Sequence, residues 1–150
     1  MSDDWIALIP EDPHFVPNAQ ARDRALVRFA EIAPGSDAIE VIVADVVQFF
    51  DCGANLERIG CPACRSEVPF AWWQKRLEED DRDGFLRAKY NMPCCSTQLS
   101  LDALIYHWPQ GFAKFALNAM NPNIGKLTDA HRQELEAILG TRLRVIYQHL

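Results

Sequence analysis

The sequence predicts an α+β fold, a single domain over residues 1–150. Three observations point there. Apolar runs with the character of strands alternate with segments whose apolar residues recur at helical spacing. The resulting elements fall into two β-α-β groups separated by a long middle segment. All five cysteines lie in that middle segment. The composition, 49% hydrophobic and 24% charged, is that of an ordinary globular protein. A chain of 150 residues can bury roughly 70% of its unfolded surface, enough for a proper core.

Each element has a local reason. Trp5 to Ile9 is a short apolar run that stops at Pro10, and reads as a strand. After a loop with Pro13 and Pro17, Asn18 is placed to cap a helix running to about Ala33. Leu26, Phe29 and Ala33 mark its inner face, and Pro34-Gly35 ends it. Ile39 to Phe50 is rich in Val, Ile and Phe, which predicts a long strand, or two strands with a bend near Asp45. Leu56–Ile59 and Val68–Phe70 are expected to form a hairpin around Cys61-Pro62-Ala63-Cys64. Ala71 to Asp83 is helical in pattern, with Gly84 closing it.

The second half repeats the logic. Met92 to Leu99 holds the second cysteine pair, and Leu101 to Trp108 reads as turn-like or helical. Phe112 to Met120 reads as a strand, although its Ala, Leu and Lys also permit helix. Thr128 caps a helix carrying Leu135, Ile138 and Leu139, and Gly140 stops it. In Arg142 to Leu150 the side chains alternate, placing Leu143, Val145 and Tyr147 on one face and Arg144, Ile146 and Gln148 on the other. The order β-α-β, insert, β-α-β is that of a ferredoxin-like split, with roughly residues 52–100 as the insert. No internal repeat or low-complexity tract stands out.

The cysteines are Cys52, Cys61, Cys64, Cys94 and Cys95. Such a cluster argues for metal or redox chemistry rather than a disulfide framework, which an odd count suits poorly. A C-x2-C turn sets two thiolates at about the separation a tetrahedral zinc requires. Cys94 and Cys95 are the candidates for the other two positions, giving a metal set of Cys61, Cys64, Cys94 and Cys95. Adjacent residues on a strand point to opposite faces, so both can bind one ion only if the backbone turns there, and Pro93 favours a turn. Otherwise Cys52 or His107 completes the set. Four thiolates would leave no open coordination position, which makes such a zinc structural. Its binding would supply on the order of 10 kcal/mol of folding free energy to an insert with few apolar residues of its own. The rival is redox chemistry, because C-P-x-C also resembles the active site of glutaredoxins, where the first thiol sits at a helix N-terminus.

The insert resembles a zinc ribbon, in which two cysteine-bearing turns clamp one metal. Its first turn matches well, while its second departs from C-x2-C because the cysteines are adjacent. Over most of the chain, the residues Cys61-Pro62-Ala63-Cys64, Pro93-Cys94-Cys95, Leu101-Asp102-Ala103-Leu104, Trp108-Pro109-Gln110-Gly111-Phe112-Ala113 and Asn121-Pro122 resemble a family of small uncharacterised bacterial proteins. That resemblance implies a bacterial cytoplasmic protein with a recurring cysteine set, and no reaction.

Other chemistry finds little support. Ile124-Gly125-Lys126-Leu127 lacks the upstream glycine and the Ser/Thr of a phosphate-cradling loop. The histidines His14, His107, His131 and His149 are scattered. Glu78-Glu79-Asp80-Asp81 has the wrong spacing for a calcium loop. Trp72 and Trp73 cannot share one helix face, so one is expected in the core and the other over the insert or exposed. The net charge of -6 argues against nucleic-acid binding by bulk charge. An adaptor role would need a basic patch built from Arg58, Arg65, Lys75 and Arg76. Residues 1–51 hold ten acids and three arginines, a net of -7, which can steer a basic partner. The start of the chain is acidic where a signal peptide would be basic, and no apolar run is long enough for a bilayer, so the cytoplasm is expected and a membrane role is not. Together these readings predict a non-catalytic, zinc-stabilised protein-binding module, in one version an immunity or inhibitor protein that neutralises a basic toxin. The alternative is a thiol-disulfide oxidoreductase using Cys61 and Cys64.

Overall fold

The computed structural model describes residues 3–80, 85 and 88–150. They form a mixed α+β structure with antiparallel sheets. The elements are β1 (Asp4–Pro10), α1 (Ala19–Ile32), β2 (Ala38–Phe50), β3 (Arg58–Gly60), α2 (Phe70–Asp80), β4 (Tyr90–Asn91), β5 (Gln98–Leu99), β6 (Ile105–His107), β7 (Gly111–Met120), α3 (Asp129–Leu139) and β8 (Leu143–His149). A single 3₁₀ turn covers Leu101–Ala103. The main sheet has the strand order β2-β7-β1-β8, every neighbour antiparallel.

Helices α1 and α3 begin where the sequence places a cap. The Asn18 side chain accepts the Ala21 N–H at 2.8 Å, and the Thr128 hydroxyl accepts the His131 N–H at 3.1 Å. Helix α1 ends at Ala33, whose N–H donates to the Phe29 carbonyl before Pro34. Helix α3 ends on Gly140, whose φ of 78° is the left-handed conformation glycine tolerates best. Ala25 and Phe29 of α1, with Leu135 and Leu139 of α3, recur at i, i+4 and are buried. They pack on Ile6, Leu8, Phe115, Leu117 and Leu143, so both helices share one face of the sheet. As the alternation in β8 predicted, Leu143, Val145 and Tyr147 join this cluster while Ile146 lies on the other face.

Strand β2 breaks near Asp45, as its sequence suggested. Between the pairs Val43–Phe115 and Gln48–Ala113, β2 advances five residues while β7 advances two. The looped-out stretch serves the insert, because the Val47 carbonyl accepts the Phe85 N–H at 3.4 Å. Phe112 to Met120, ambiguous in sequence, lies in strand β7, mostly buried, paired with β2 on one side and over Leu117–Met120 with β1 on the other.

Three expectations are corrected. The hairpin of Leu56–Ile59 with Val68–Phe70 is reduced to one bridge, Gly60–Glu67, with the Val68 N–H donating to Ile59. The main partner of β3 is β6, so Leu101 to Trp108 is neither helix nor plain turn but supplies a strand. Phe70 belongs to α2, since Pro69 opens the helix and its carbonyl accepts the Trp73 N–H. The insert is also not poor in apolar residues. Ile59, Cys61, Val68, Trp73, Phe85, Met92, Leu101 and Leu104 are buried together with Val47 and Phe112 of the sheet. Trp73 is the buried member of its pair. It meets Phe49 edge-on at 5.8 Å, and its indole N–H donates to the Tyr106 hydroxyl at 3.0 Å. Trp72 lies half-buried against Tyr90, with the Arg76 guanidinium 5.4 Å over its ring. The expected stop of α2 at Gly84 lies outside the described residues.

Candidate metal centre

Strand β3 delivers Cys61 into a tight turn. The Arg65 N–H donates back to the Cys61 carbonyl at 2.9 Å, and the Cys61 N–H to the Ser66 carbonyl at 2.9 Å. Arg65 takes a left-handed φ of 66°, which turns the chain after Cys64. The hairpin of β4 and β5 carries the second turn. There the Ser96 N–H donates to Met92 at 2.9 Å, the Met92 N–H to Thr97 at 2.9 Å, and Ser96 has a φ of 62°.

The two turns therefore have the same backbone, with Met92 in the place of Cys61, Pro93 of Pro62, Cys94 of Ala63 and Cys95 of Cys64. Both first residues are buried, Cys61 completely and Met92 to within 2% exposure. The adjacency of Cys94 and Cys95 is thus a displacement of one ligand within an otherwise repeated turn. The backbone bends at those residues, as Pro93 suggested, so neighbouring side chains need not diverge. The repeat escapes a search for identical residues, because only the proline and the last cysteine of each turn coincide. The offset Pro62–Pro93 and Cys64–Cys95 was the signal available in the sequence.

The four sulfurs come together. Cys61 Sγ lies 3.8 Å from Cys95 Sγ, and Cys64 Sγ lies 3.2 Å from Cys94 Sγ. All four lie within 4.8 Å of one another. The sulfurs of a tetrahedral site with metal–sulfur bonds of about 2.3 Å are about 3.8 Å apart. None of the cysteines is disulfide-bonded. The set is compatible with one bound metal ion.

The environment prepares thiolates unevenly. The Ser66 hydroxyl, then the Ser66 N–H, and then the Cys94 thiol hydrogen-bond to Cys64 and hold its pKa down at about 6. Thr97 does the same from the equivalent position of the second turn, lowering Cys95; its hydroxyl is 3.3 Å from the sulfur. Cys94, hydrogen-bonded to Cys64 at 3.2 Å, is pushed up to about 12. Without a metal the pair shares a proton. A cation would displace it and recruit both sulfurs. Ser66 and Thr97 are site residues that the sequence reading overlooked.

The other candidates stand elsewhere. Cys52 is buried beside Gln110, its thiol 3.4 Å from the Gln110 side-chain oxygen, and burial raises its pKa to about 11. His107, on β6, is likewise outside the sulfur cluster. His149 pairs with Asp4 at 2.8 Å. Glu79 pairs with Arg76 at 2.9 Å. Asp81 lies outside the described residues. No described helix is long and apolar enough to cross a membrane. Compared with protein-family models, curated proteins and solved structures, the chain finds no match.

Proposed function

We propose that Cys61, Cys64, Cys94 and Cys95 hold a structural zinc ion, and that the chain is a non-catalytic, cytoplasmic protein-binding module. In this reading the main sheet and its two helices are a ferredoxin-like core, supported by the β2-β7-β1-β8 order. The cysteine turns and their strands are a zinc-ribbon-like insert. The carrying observation is the approach of four sulfurs from two distant turns to within 4.8 Å. Zinc suits four thiolates, and a filled tetrahedron offers no place for water or substrate. The glutaredoxin-like alternative loses its main physical support, because Cys61 does not start a helix. The next helix begins at Phe70, after a turn and a bridge.

The partner expected is a basic protein, an immunity or inhibitor role being one version. Its support is the exposed acids of the first third, Asp4, Glu11, Asp12, Asp37, Glu40 and Asp45 among them. The zinc-loaded protein, used as bait in host lysate, should retain a stoichiometric partner of high pI that salt releases. Absence of any such partner, or catalytic reduction of a disulfide substrate by Cys61 and Cys64, would overturn the reading.

A further inference from the structure

Resting on that partner-binding reading, we infer that the docking surface is the cleft between the cysteine module and the end of the main sheet. Its occupant is a peptide segment of the partner that carries an apolar side chain flanked by lysine or arginine.

The cleft has a volume of about 460 Å³, within the range of sites that take a peptide side chain and its backbone. Its lining is half apolar and half polar. Phe49 and Leu56 come from the sheet side, Trp73 and Leu77 from α2. Phe70 stands at the mouth, 55% exposed, its ring centroid 5.5 Å from that of Trp73. A large aromatic left in water beside a concave apolar wall is the usual form of an anchor site at a protein interface.

Gln110 borders the cleft and is only 1% exposed. Its side-chain oxygen accepts the Cys52 N–H at 3.3 Å, which fixes the orientation of the amide. The amide nitrogen then finds no acceptor among the described residues. That nitrogen is itself closed off from solvent, so Gln110 contributes bulk to the cleft and no hydrogen bond to its occupant.

The rim sets the charge of the occupant. Asp51, Glu57 and Glu67 line it against a single base, Arg58, and all four are exposed. Glu57 is held in place by the Trp108 indole N–H at 3.0 Å. A free carboxylate would meet three like charges. A peptide whose apolar side chain is flanked by basic ones meets the three acids with opposite charge.

The test uses the full-length, zinc-loaded, ¹⁵N-labelled protein titrated with acetyl-Arg-Leu-Arg-amide. The controls are acetyl-Glu-Leu-Glu-amide and acetyl-Arg-Gly-Arg-amide. Only the first should give saturable shifts at Phe70 and Leu77. Glu67→Lys and Phe70→Ala, both at exposed positions, should each weaken that binding at least fivefold with zinc content unchanged. Equal response to the three peptides, or insensitivity to both substitutions, overturns the assignment. Shifts confined to Asp37–Asp45 also overturn it, yet leave the partner-binding reading standing. That wider reading falls separately, if no basic partner is retained by the intact protein.

Discussion

Rewriting the second cysteine turn in the image of the first should preserve metal binding. Met92→Cys combined with Cys94→Ala turns Met92-Pro93-Cys94-Cys95 into Cys-Pro-Ala-Cys, the string at 61–64. The hydrogen bonds of the two turns coincide, so a thiol at position 92 occupies the place Cys61 has in the first turn. Four-ligand structural zinc sites bind with about 10–16 kcal/mol, which makes one thiolate worth about 2.5–4 kcal/mol. Cys94→Ala alone should thus weaken zinc binding by roughly 10²–10³-fold. The double variant should recover to within about tenfold of the starting protein. Shortening Met92, which is 2% exposed, removes buried contacts and costs up to about 2 kcal/mol of folding stability. Affinity and stability must therefore be read separately, the first by competition with a chromogenic chelator and the second by urea unfolding at saturating zinc. A double variant that binds no more tightly than Cys94→Ala would refute the equivalence of the turns.

Three further outcomes test other parts of the structure. Asn18→Ala removes the acceptor of the Ala21 N–H and should cost about 1 kcal/mol in urea unfolding; no change would mean that the cap is redundant. Gly53→Ala places a Cβ against the His149 carbonyl at a residue with φ of 62°, and should lower stability by more than about 1 kcal/mol, measured the same way. In metal-free protein, iodoacetamide labelling of Cys64 should rise through its pKa of about 6 and level off by neutral pH. Cys94, held protonated up to about 12, and buried Cys52, at about 11, should stay unlabelled under the same conditions. Peptide mapping by mass spectrometry distinguishes the sites, and equal labelling of Cys64 and Cys94 would contradict the asymmetry.

What the sequence revealed follows from where its signals are local. Caps at Asn18 and Thr128, the stop at Gly140 and the alternation of β8 depend on a few adjacent residues, and each is where the sequence put it. The bend in β2 was also legible, because Asp45 interrupts an apolar run. Pairing of β3 with β6 was not, since the partners are far apart in the chain and three residues carry little pattern. The aromatic core of the insert was missed for a related reason. Trp73, Tyr106, Phe49 and Phe112 come from four separate elements and reveal a cluster only when the chain brings them together. At the candidate metal centre the four cysteines were identified by spacing alone. The repeated turn behind them was hidden because Met92 stands where a cysteine would have announced it.

X-ray absorption at the zinc edge, on protein purified without added metal and quantified by elemental analysis, addresses the metal centre without intermediaries. One zinc per chain with four sulfurs at about 2.3 Å is the result expected of Cys61, Cys64, Cys94 and Cys95. A first shell containing nitrogen or oxygen, or a protein isolated metal-free with these cysteines oxidised, would contradict it.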